Sequence, residues 1–414
     1  MHTLFLPAAA TLLAATFVSP APNPAGDRIV RSGETVVYDT SNGTLRLNTL
    51  TIEAGGELRA VGPQPLRVEA REIRVDGLID VSGTNKFGVF TLNTANQPEL
   101  GAPGGPAGGT GGVGSVLTTA STPSGLPGDP AAGTSTPGGG GGESSFSSVS
   151  SSTARRAAGG GGGVFGPPAP PVPQNPEDPQ NQGLLALPGL DGAAGANGAL
   201  SMAPPPKGGA IGTAVFTDAS ADNDFFGRKV VTGVGEIVGE LAAPRAGQGG
   251  GAGGDAHRSG VWPMVPFINN LIDKGCGGGG GGGLAILLAR TIRVGSEGRL
   301  SADGGTGGFG ENTSGINCIG GGSGGGSGGM IVLQAELIDL SQVQPGAFSA
   351  LGGLGGPGAN NFLRAEGGGG HGGPGLIQFH VPNGDPMNVL LPIGTFLGQI
   401  SSPEAHVLKI ESGL

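Results

Sequence analysis

Two stretches, LAILLARTIRV at residues 284–294 and MIVLQAELIDL at residues 330–340, decide how this sequence folds. They align without a gap at an offset of 46 residues, from 284 to 330, and most of their apolar positions coincide. A glycine-rich run precedes each stretch, at residues 277–283 and 320–329. A segment that recurs at a fixed spacing is the sequence signature of a repeat architecture.

A third copy, LRVEAREIRV, lies at residues 66–75, where Ile73 falls on Ile292 and Val75 falls on Val294. Apolar and polar residues alternate through the end of this copy, which is the period of a half-buried β-strand. After each copy a glycine turn leads into a second short apolar segment. These second segments lie at residues 77–83, 298–304 and 346–352.

The spacing of the copies predicts coils of about 23 residues. Ile52, in a shorter relative of the repeat, precedes Val75 by 23 residues, and the offset of 46 is twice that length. Strand-bearing solenoid repeats are roughly 20 to 30 residues long, and stacked coils share the core that one coil cannot form alone. We therefore expect an all-β solenoid. Unrelated β-hairpins or a sandwich are the alternative, because Asn42-Gly43 and Asp76-Gly77 are hairpin-turn dipeptides.

Glycine and proline divide the 414-residue chain into segments. It contains 91 Gly and 34 Pro. A Gly/Pro/Ser-rich insertion at residues 84–283 separates N-terminal coils at 22–83 from C-terminal coils and a cap at 284–414. Such composition favours long, flexible excursions, because it buries little apolar surface. In the alternative, glycine runs pack side by side as polyglycine II-like strands, as the glycine at every third position of residues 189–198 indicates.

The same insertion contains two apolar islands, at residues 210–216 and 229–238. We expect both to be strands that return to the core.

The N-terminus has the pattern of a signal peptide at residues 1–21. An apolar run at 4–18, too short for a membrane span, precedes a possible cleavage site at Ser19-Pro20-Ala21. No later apolar run reaches the length of a transmembrane helix. The sequence therefore predicts a secreted or cell-surface protein with no transmembrane segment after signal removal.

The chain has two cysteines, Cys276 and Cys318. In an oxidising compartment a disulfide between them is expected, and two free buried thiols are the alternative. Two thiols without a nearby pair of histidines fall short of a zinc site.

A search for catalytic chemistry assigns no catalytic residue and no cofactor. The GGGSGGG sequence around Ser323 lacks the strand-to-helix context of a nucleophile elbow. An acidic cluster offers oxygen ligands for Ca²⁺ and consists of Asp218, Asp222, Asn223 and Asp224. We interpret it as a solvated turn, because it lacks the Glu-terminated loop of an EF-hand. A net charge of −10 without a basic stripe argues against nucleic-acid binding.

Polyglycine, an apolar strand, the A-x-x-I-x-V pattern and a glycine turn recur at residues 28–83 and 275–382. In this the chain resembles Gly-rich secreted bacterial surface proteins of the β-helix type. The resemblance implies a right-handed parallel β-helix and carries no functional residues with it.

The function expected from these observations is that of an exported structural or adhesin-like protein without catalytic activity. Its partner would be a cell-surface or extracellular polysaccharide or another surface protein. A glycan-binding module and a polysaccharide-active lyase or hydrolase are the alternatives. Carboxylates on adjacent coils of one face would mark the enzyme.

Overall fold

The computed structural model describes residues 26–88, 97–115, 124–147, 155–166, 206–215, 223–231, 233–259, 270–311, 318–358 and 367–410. Within these residues the protein is all-β, with a single α-helix of four residues, α1, at Leu397–Ile400. Short 3-10 turns lie at Thr40–Asn42 and Pro386–Asn388. The predicted signal peptide and the glycine repeat at 189–198 lie outside the described residues.

The strands are, in chain order, β1 (Asp27–Val30), β2 (Thr35–Asp39), β3 (Leu45–Ile52), β4 (Glu57–Val61), β5 (Leu66–Val75), β6 (Leu78–Asp80), β7 (Ser145–Ser147), β8 (Arg155–Arg156), β9 (Arg228–Val231), β10 (Gly235–Val238), β11 (Ala256–Ser259), β12 (Asn270–Asp273), β13 (Leu284–Val294), β14 (Arg299–Ser301), β15 (Cys318–Ile319), β16 (Met330–Asp339), β17 (Phe348–Ser349), β18 (Leu376–Pro382), β19 (Val389–Leu390), β20 (Ser401–Ser402) and β21 (His406–Ile410).

Most strands belong to two parallel sheets. The long-strand sheet has the order β1-β3-β5-β13-β16-β18-β21, and the short-strand sheet has the order β2-β4-β6-β14-β17-β20. Neighbouring strands within both series are parallel. Since hairpins join antiparallel strands, the hairpin alternative is wrong for these strands.

The register of the long-strand sheet is the one that the repeat predicts. Leu284 of β13 lies opposite Met330 of β16, and Ile73 of β5 lies opposite Ile292 of β13. The strands β5 and β13 are neighbours although the whole insertion separates them in sequence. The N-terminal and C-terminal copies of the repeat therefore form one continuous sheet.

One hydrophobic core lies between the two sheets. Ile73, Ile292 and Ile338 line it from the long-strand sheet, while Ile79 and Phe348 line it from the short-strand sheet. Apolar columns of this kind explain the register, because a slip of one residue would turn each apolar side chain toward the other face.

Short strands from the insertion add to this framework. The antiparallel hairpin β9–β10 joins the edge of the long-strand sheet beside β21, so the island at 229–238 forms strands as predicted. These strands do not return to the core, because Val230 and Val238 are exposed at the sheet edge. Residues 210–215 of the other island form no strand, so that prediction is wrong for the described part. Instead, Gly212 and Val215 donate backbone hydrogen bonds to Gly162 and Phe165.

Glycine-rich runs pack beside the sheets and are here called the glycine layer. Their residues are 101–114, 124–131, 136–144, 157–164, 207–215, 246–255, 274–283, 302–310, 320–329, 350–357 and 367–375. Three runs continue directly into strands β13, β16 and β18. These glycine runs are thus continuous in sequence with the strands that build the long-strand sheet.

Hydrogen bonds between the runs recur every third residue. The N–H of Gly250 donates to the carbonyl of Gly279, and three residues later Gly253 donates to Cys276, both at 2.9 Å. The same step separates successive bonds between other pairs of runs. It is the spacing expected of extended helices with three residues per turn, which form no hydrogen bonds within themselves.

The run at 246–255 illustrates the density of this packing. Its N–H groups donate to three neighbouring runs, and its carbonyl groups accept from three others. The six neighbours are 274–283, 157–164, 124–131, 101–114, 136–144 and 320–329. A methyl group added at Gly250 would overlap the carbonyl of Gly324, so this close approach admits only glycine.

The described residues of the insertion are therefore not flexible excursions. They are held by backbone hydrogen bonds, and the runs at 246–255 and 274–283 are almost entirely buried. The favoured expectation of flexibility is wrong for this part of the chain, because main-chain hydrogen bonding between runs replaces the missing apolar surface.

Candidate functional site

The turns that lead from the long strands to the short strands form an open cleft. Four residues, 53–56, connect β3 to β4, and four residues, 295–298, connect β13 to β14. The turn between them in the stack has only two residues, Asp76 and Gly77. The longer turns overhang the short one and leave a cleft of 410 Å³. It is lined by Thr51, Glu53, Ala54, Arg74, Asp76, Ser296 and Glu297.

Carboxylates from three neighbouring turns face this cleft. Glu53, Asp76 and Glu297 lie in the connections that follow β3, β5 and β13, three adjacent strands of the long-strand sheet. The Nε of Arg74 donates to Oδ2 of Asp76 at 2.6 Å, and the N–H of Ser32 donates to Oε2 of Glu53 at 3.1 Å. The cleft therefore combines hydrogen-bond acceptors with one cation, a set of groups that suits a ligand rich in hydroxyl groups.

Glycine makes the tight packing of the turns possible. A methyl group at Gly77 would overlap the carbonyl oxygens of Gly56 and Glu53 in the preceding turn. A methyl group at Gly295 would overlap the carboxylate of Asp76. The turns thus stack with direct contact between backbone and side chain, which holds the position of Asp76.

Cys276 is a free, buried thiol. Its Sγ donates to the carbonyl of Phe87 at 3.4 Å, and burial raises the pKa of the thiol to about 12. A thiol with so high a pKa is a poor nucleophile at neutral pH.

The structure does not contain the Cys276–Cys318 disulfide that the sequence predicts. The N–H of Cys276 donates to the carbonyl of Gly321, so Cys318 lies one three-residue turn away along the facing run. That displacement is about 9 Å at the rise of an extended helix, while the Cα atoms of a disulfide are within about 7 Å. The side chain of Cys318 lies outside the described residues.

Two of the histidine side chains, His371 and His380, make contacts within the protein. Nδ1 of His371 accepts the N–H of Gly355 at 2.8 Å. The alternation of β18 places His380 on the face opposite Phe379, as predicted, yet His380 is buried too. The ring of Phe226 covers it at a centroid distance of 5.9 Å, and burial lowers the pKa of His380 to about 4.

The predicted acidic cluster is only partly within the described residues. Asp218 and Asp222 lie outside them, and Nδ2 of Asn223 donates to the carbonyl of Val238 at 3.5 Å. In the part of the chain that the structure describes, no three His, Cys, Asp or Glu side chains are grouped so as to hold a metal ion.

The serines of the GGGSGGG sequence are part of the glycine layer. Ser323 and Ser327 are both buried, and their hydroxyl groups accept the N–H groups of Gly308 and Gln248 at 2.9 and 2.8 Å. The side-chain amide of Gln248 donates in turn to the carbonyl of Thr213 at 2.8 Å. These polar groups take the place of main-chain partners where the run of glycine is interrupted.

Comparison with known proteins found no match to this chain among family models, curated proteins or solved structures. Within the described residues, no helix has the length and apolar character needed to cross a membrane.

The cleft is the feature that the sequence analysis missed. The sequence feature that could have predicted the cleft is a difference in turn length. Ile52 and Leu58 are six residues apart, and so are Val294 and Leu300, whereas Val75 and Ile79 are only four residues apart. That pattern becomes meaningful only when the coils are stacked in register.

Proposed function

We propose that this protein is an exported structural or adhesin-like protein of the cell surface or extracellular space, without catalytic activity. Its architecture is a right-handed parallel β-helix whose coils extend into a layer of polyglycine II strands. The alternation of consecutive strands between two parallel sheets supports the β-helix. The three-residue step of the hydrogen bonds supports polyglycine II.

The glycine layer is the observation that carries the functional proposal. Its central runs, at 246–255, 274–283 and 320–329, are buried and connected to their neighbours almost entirely by main-chain groups. Such an interior offers stiffness and resistance to local opening, because most of its buried N–H and carbonyl groups have hydrogen-bond partners. It offers few side chains for chemistry, which suits a scaffold better than an enzyme.

The export part of the proposal rests on the sequence of residues 1–21. We expect the full-length chain, produced in a bacterial host, to be found outside the cytoplasm with a new N-terminus close to residue 22. Intact mass and N-terminal peptide mapping measure this. An uncleaved chain that stays in the cytoplasm would contradict export and leave the architecture untouched.

The adhesin-like part is tested by incubating the purified protein with cell-wall and extracellular polysaccharides. We expect retention on at least one polysaccharide, with no new reducing ends or unsaturated products. Release of such products would overturn the non-catalytic proposal. Absence of retention on every polysaccharide would contradict a polysaccharide partner.

Glycan binding in the turn cleft is a second candidate function. The specific observation is that Glu53, Asp76 and Glu297 converge there beside Arg74. Carboxylates that lie together on one face were also the feature expected of a polysaccharide-active enzyme. The assay for reaction products therefore decides between binding and turnover.

A matched pair of variants tests the cleft. In Glu53→Gln/Glu297→Gln the acceptors become weaker without a change of shape, and we expect retention on the bound polysaccharide to fall at least tenfold. In Glu336→Gln, whose exposed side chain on β16 is remote in sequence from those turns, we expect retention to be unchanged. Equal retention of both variants would exclude the cleft as the binding site.

A further inference from the structure

A buried lysine and a buried aspartate meet at one end of the glycine layer. Nζ of Lys274 lies 2.6 Å from Oδ2 of Asp255, and both side chains are at most 1% exposed. Asp255 ends the run at 246–255, and Lys274 begins the run at 274–283. The two groups thus connect two of the central runs.

The groups around this pair hold both side chains in place. The N–H of Gly275 donates to Oδ1 of Asp255 at 2.8 Å. Nζ of Lys274 donates to the carbonyl of Ser115 at 2.8 Å, and the hydroxyl of Ser144 accepts the N–H of Asp255 at 2.8 Å. The pair therefore has little freedom to separate.

The burial of this pair is costly when both groups are charged. A carboxylate and an ammonium group both lose their hydration when they are removed from water, and their mutual attraction often fails to offset that loss. Desolvation raises the pKa of Asp255, against the opposing effect of Lys274. The neutral carboxylic acid form of Asp255 is thereby favoured relative to the same group in water.

We propose that Lys274 and Asp255 form an intramolecular isopeptide bond. A proton passes from Nζ to Oδ2 along their hydrogen bond. The free electron pair of Nζ then forms a bond to Cγ of Asp255, and Oδ1, held by the N–H of Gly275, takes up the negative charge. When the C–Oδ2 bond breaks, Oδ2 leaves as water with the proton it received and a second proton from Nζ.

The reaction needs no co-reactant. The ion pair contains the same atoms as the amide plus one water molecule, and no group is oxidised or reduced. The product removes both buried charges and links two runs that backbone hydrogen bonds otherwise hold. A covalent link at this point suits a protein that must keep its shape outside the cell.

The chain provides its own control for this proposal. Nζ of Lys86 lies 3.2 Å from Oε2 of Glu99, but these side chains are 21% and 25% exposed. Water reaches this second pair, whereas it is excluded from the first. We expect it to remain an ordinary ion pair in the same sample.

Mass spectrometry of the purified, denatured protein tests the proposal. We expect the intact mass to be lower than the sequence mass by one water molecule, and proteolysis to release a branched peptide that joins Asp255 to Lys274. The peptides containing Lys86 and Glu99 should be linear. A full intact mass with linear peptides at all four residues would overturn the proposal.

Two variants identify the chemistry. In Asp255→Asn the leaving group becomes ammonia, so we expect the mass deficit to change from one water to one ammonia. In Lys274→Met we expect no deficit. If Lys274→Met fails to fold, the wild-type mass and the Asp255→Asn mass still show whether the isopeptide bond forms. A water deficit that persists in Asp255→Asn would exclude this bond.

Discussion

The two sheets and the glycine layer solve the same physical problem in opposite ways. Each must bury main-chain N–H and carbonyl groups with partners. In the sheets, side chains such as Leu287 and Ile73 fill the space between backbones. In the layer, backbones themselves fill that space, and the central run at 246–255 is hydrogen-bonded to six others.

Because of this difference, we expect amino-acid substitutions to affect the stability of the two regions differently. The sheets need side chains of suitable volume and accept some variation in shape. The layer needs the absence of a side chain, and its carbonyl groups have no room to move away.

The largest effect is expected from Gly139→Ala in the layer. The added methyl group would overlap the carbonyl oxygen of Gly161, which already accepts the N–H of Gly251 at 2.9 Å. Relief of the overlap would break that bond, so we expect a loss of at least about 4 kcal/mol, an exceptional value for one substitution. Urea unfolding measures the loss.

The neighbouring Gly140→Ala is the matched control. Its methyl group would meet the backbone N of Ala210 at 3.0 Å, a distance that small shifts can relieve. We expect a loss of less than about 1.5 kcal/mol, which is the scale of tolerated changes in packing. If the two variants were equally stable, the claim that the layer excludes side chains position by position would be wrong.

The second prediction concerns Leu287 in the core between the sheets. It is fully buried, with Val68 and Leu333 opposite it on the adjacent strands. We expect Leu287→Ala to cost about 3 kcal/mol because it leaves a cavity. Leu287→Met, which nearly conserves volume, should cost less than about 1.5 kcal/mol. Equal losses would show that the sheets are as intolerant of change as the layer.

The third prediction concerns how the stability of the protein depends on pH through His380. Burial lowers the pKa of His380 to about 4, below its unfolded value of about 6.5. The unfolded chain therefore binds the proton first as pH falls. The contribution of His380 to stability is complete above about pH 6.5, declines below it, and levels off near pH 4.

We expect His380 to account for a loss of about 2 kcal/mol between pH 7 and pH 5, and His380→Gln to lack this part of the loss. Urea unfolding at the two pH values measures the difference between the proteins. Burial lowers the pKa of His406 as well, so some pH dependence should remain in the variant. Identical pH profiles would show that His380 is not buried as described.

The sequence predicted the sheets better than the layer, for a physical reason. Apolar columns such as Ile73–Ile292–Ile338 leave a pattern of side chains from which strand register is readable. Runs of glycine leave no such pattern, because any glycine can face any other. Which runs become neighbours depends on the stacking of the coils and on isolated polar residues such as Gln248 and Ser327.

The candidate cleft could have been predicted from turn lengths once the coils were stacked. Its carboxylates are far apart in sequence, and Glu297 is separated from Asp76 by the insertion. The burial of His380 could not have been predicted from β18 alone, because the covering residue, Phe226, belongs to the insertion.

The smallest effect is expected from the exposed ion pairs that connect neighbouring strands of the long-strand sheet. Nε of Arg290 lies 3.1 Å from Oε2 of Glu336, and Nε of Arg293 lies 4.0 Å from Oδ2 of Asp339. Both arginine side chains are more than half exposed. Solvent screens such pairs, and each typically contributes about 0.2–1 kcal/mol.

A double-mutant cycle on Arg290→Ala and Glu336→Ala should therefore give a coupling energy within about 1 kcal/mol, decreasing with added salt. The apolar columns that set strand register stay intact in all three variants, so the far-ultraviolet circular dichroism spectrum should not change. A coupling of several kcal/mol would mean that surface charge, and not the apolar core, aligns β13 with β16. Surface ion pairs would then have to be added to side-chain packing and backbone packing as a third determinant of the structure.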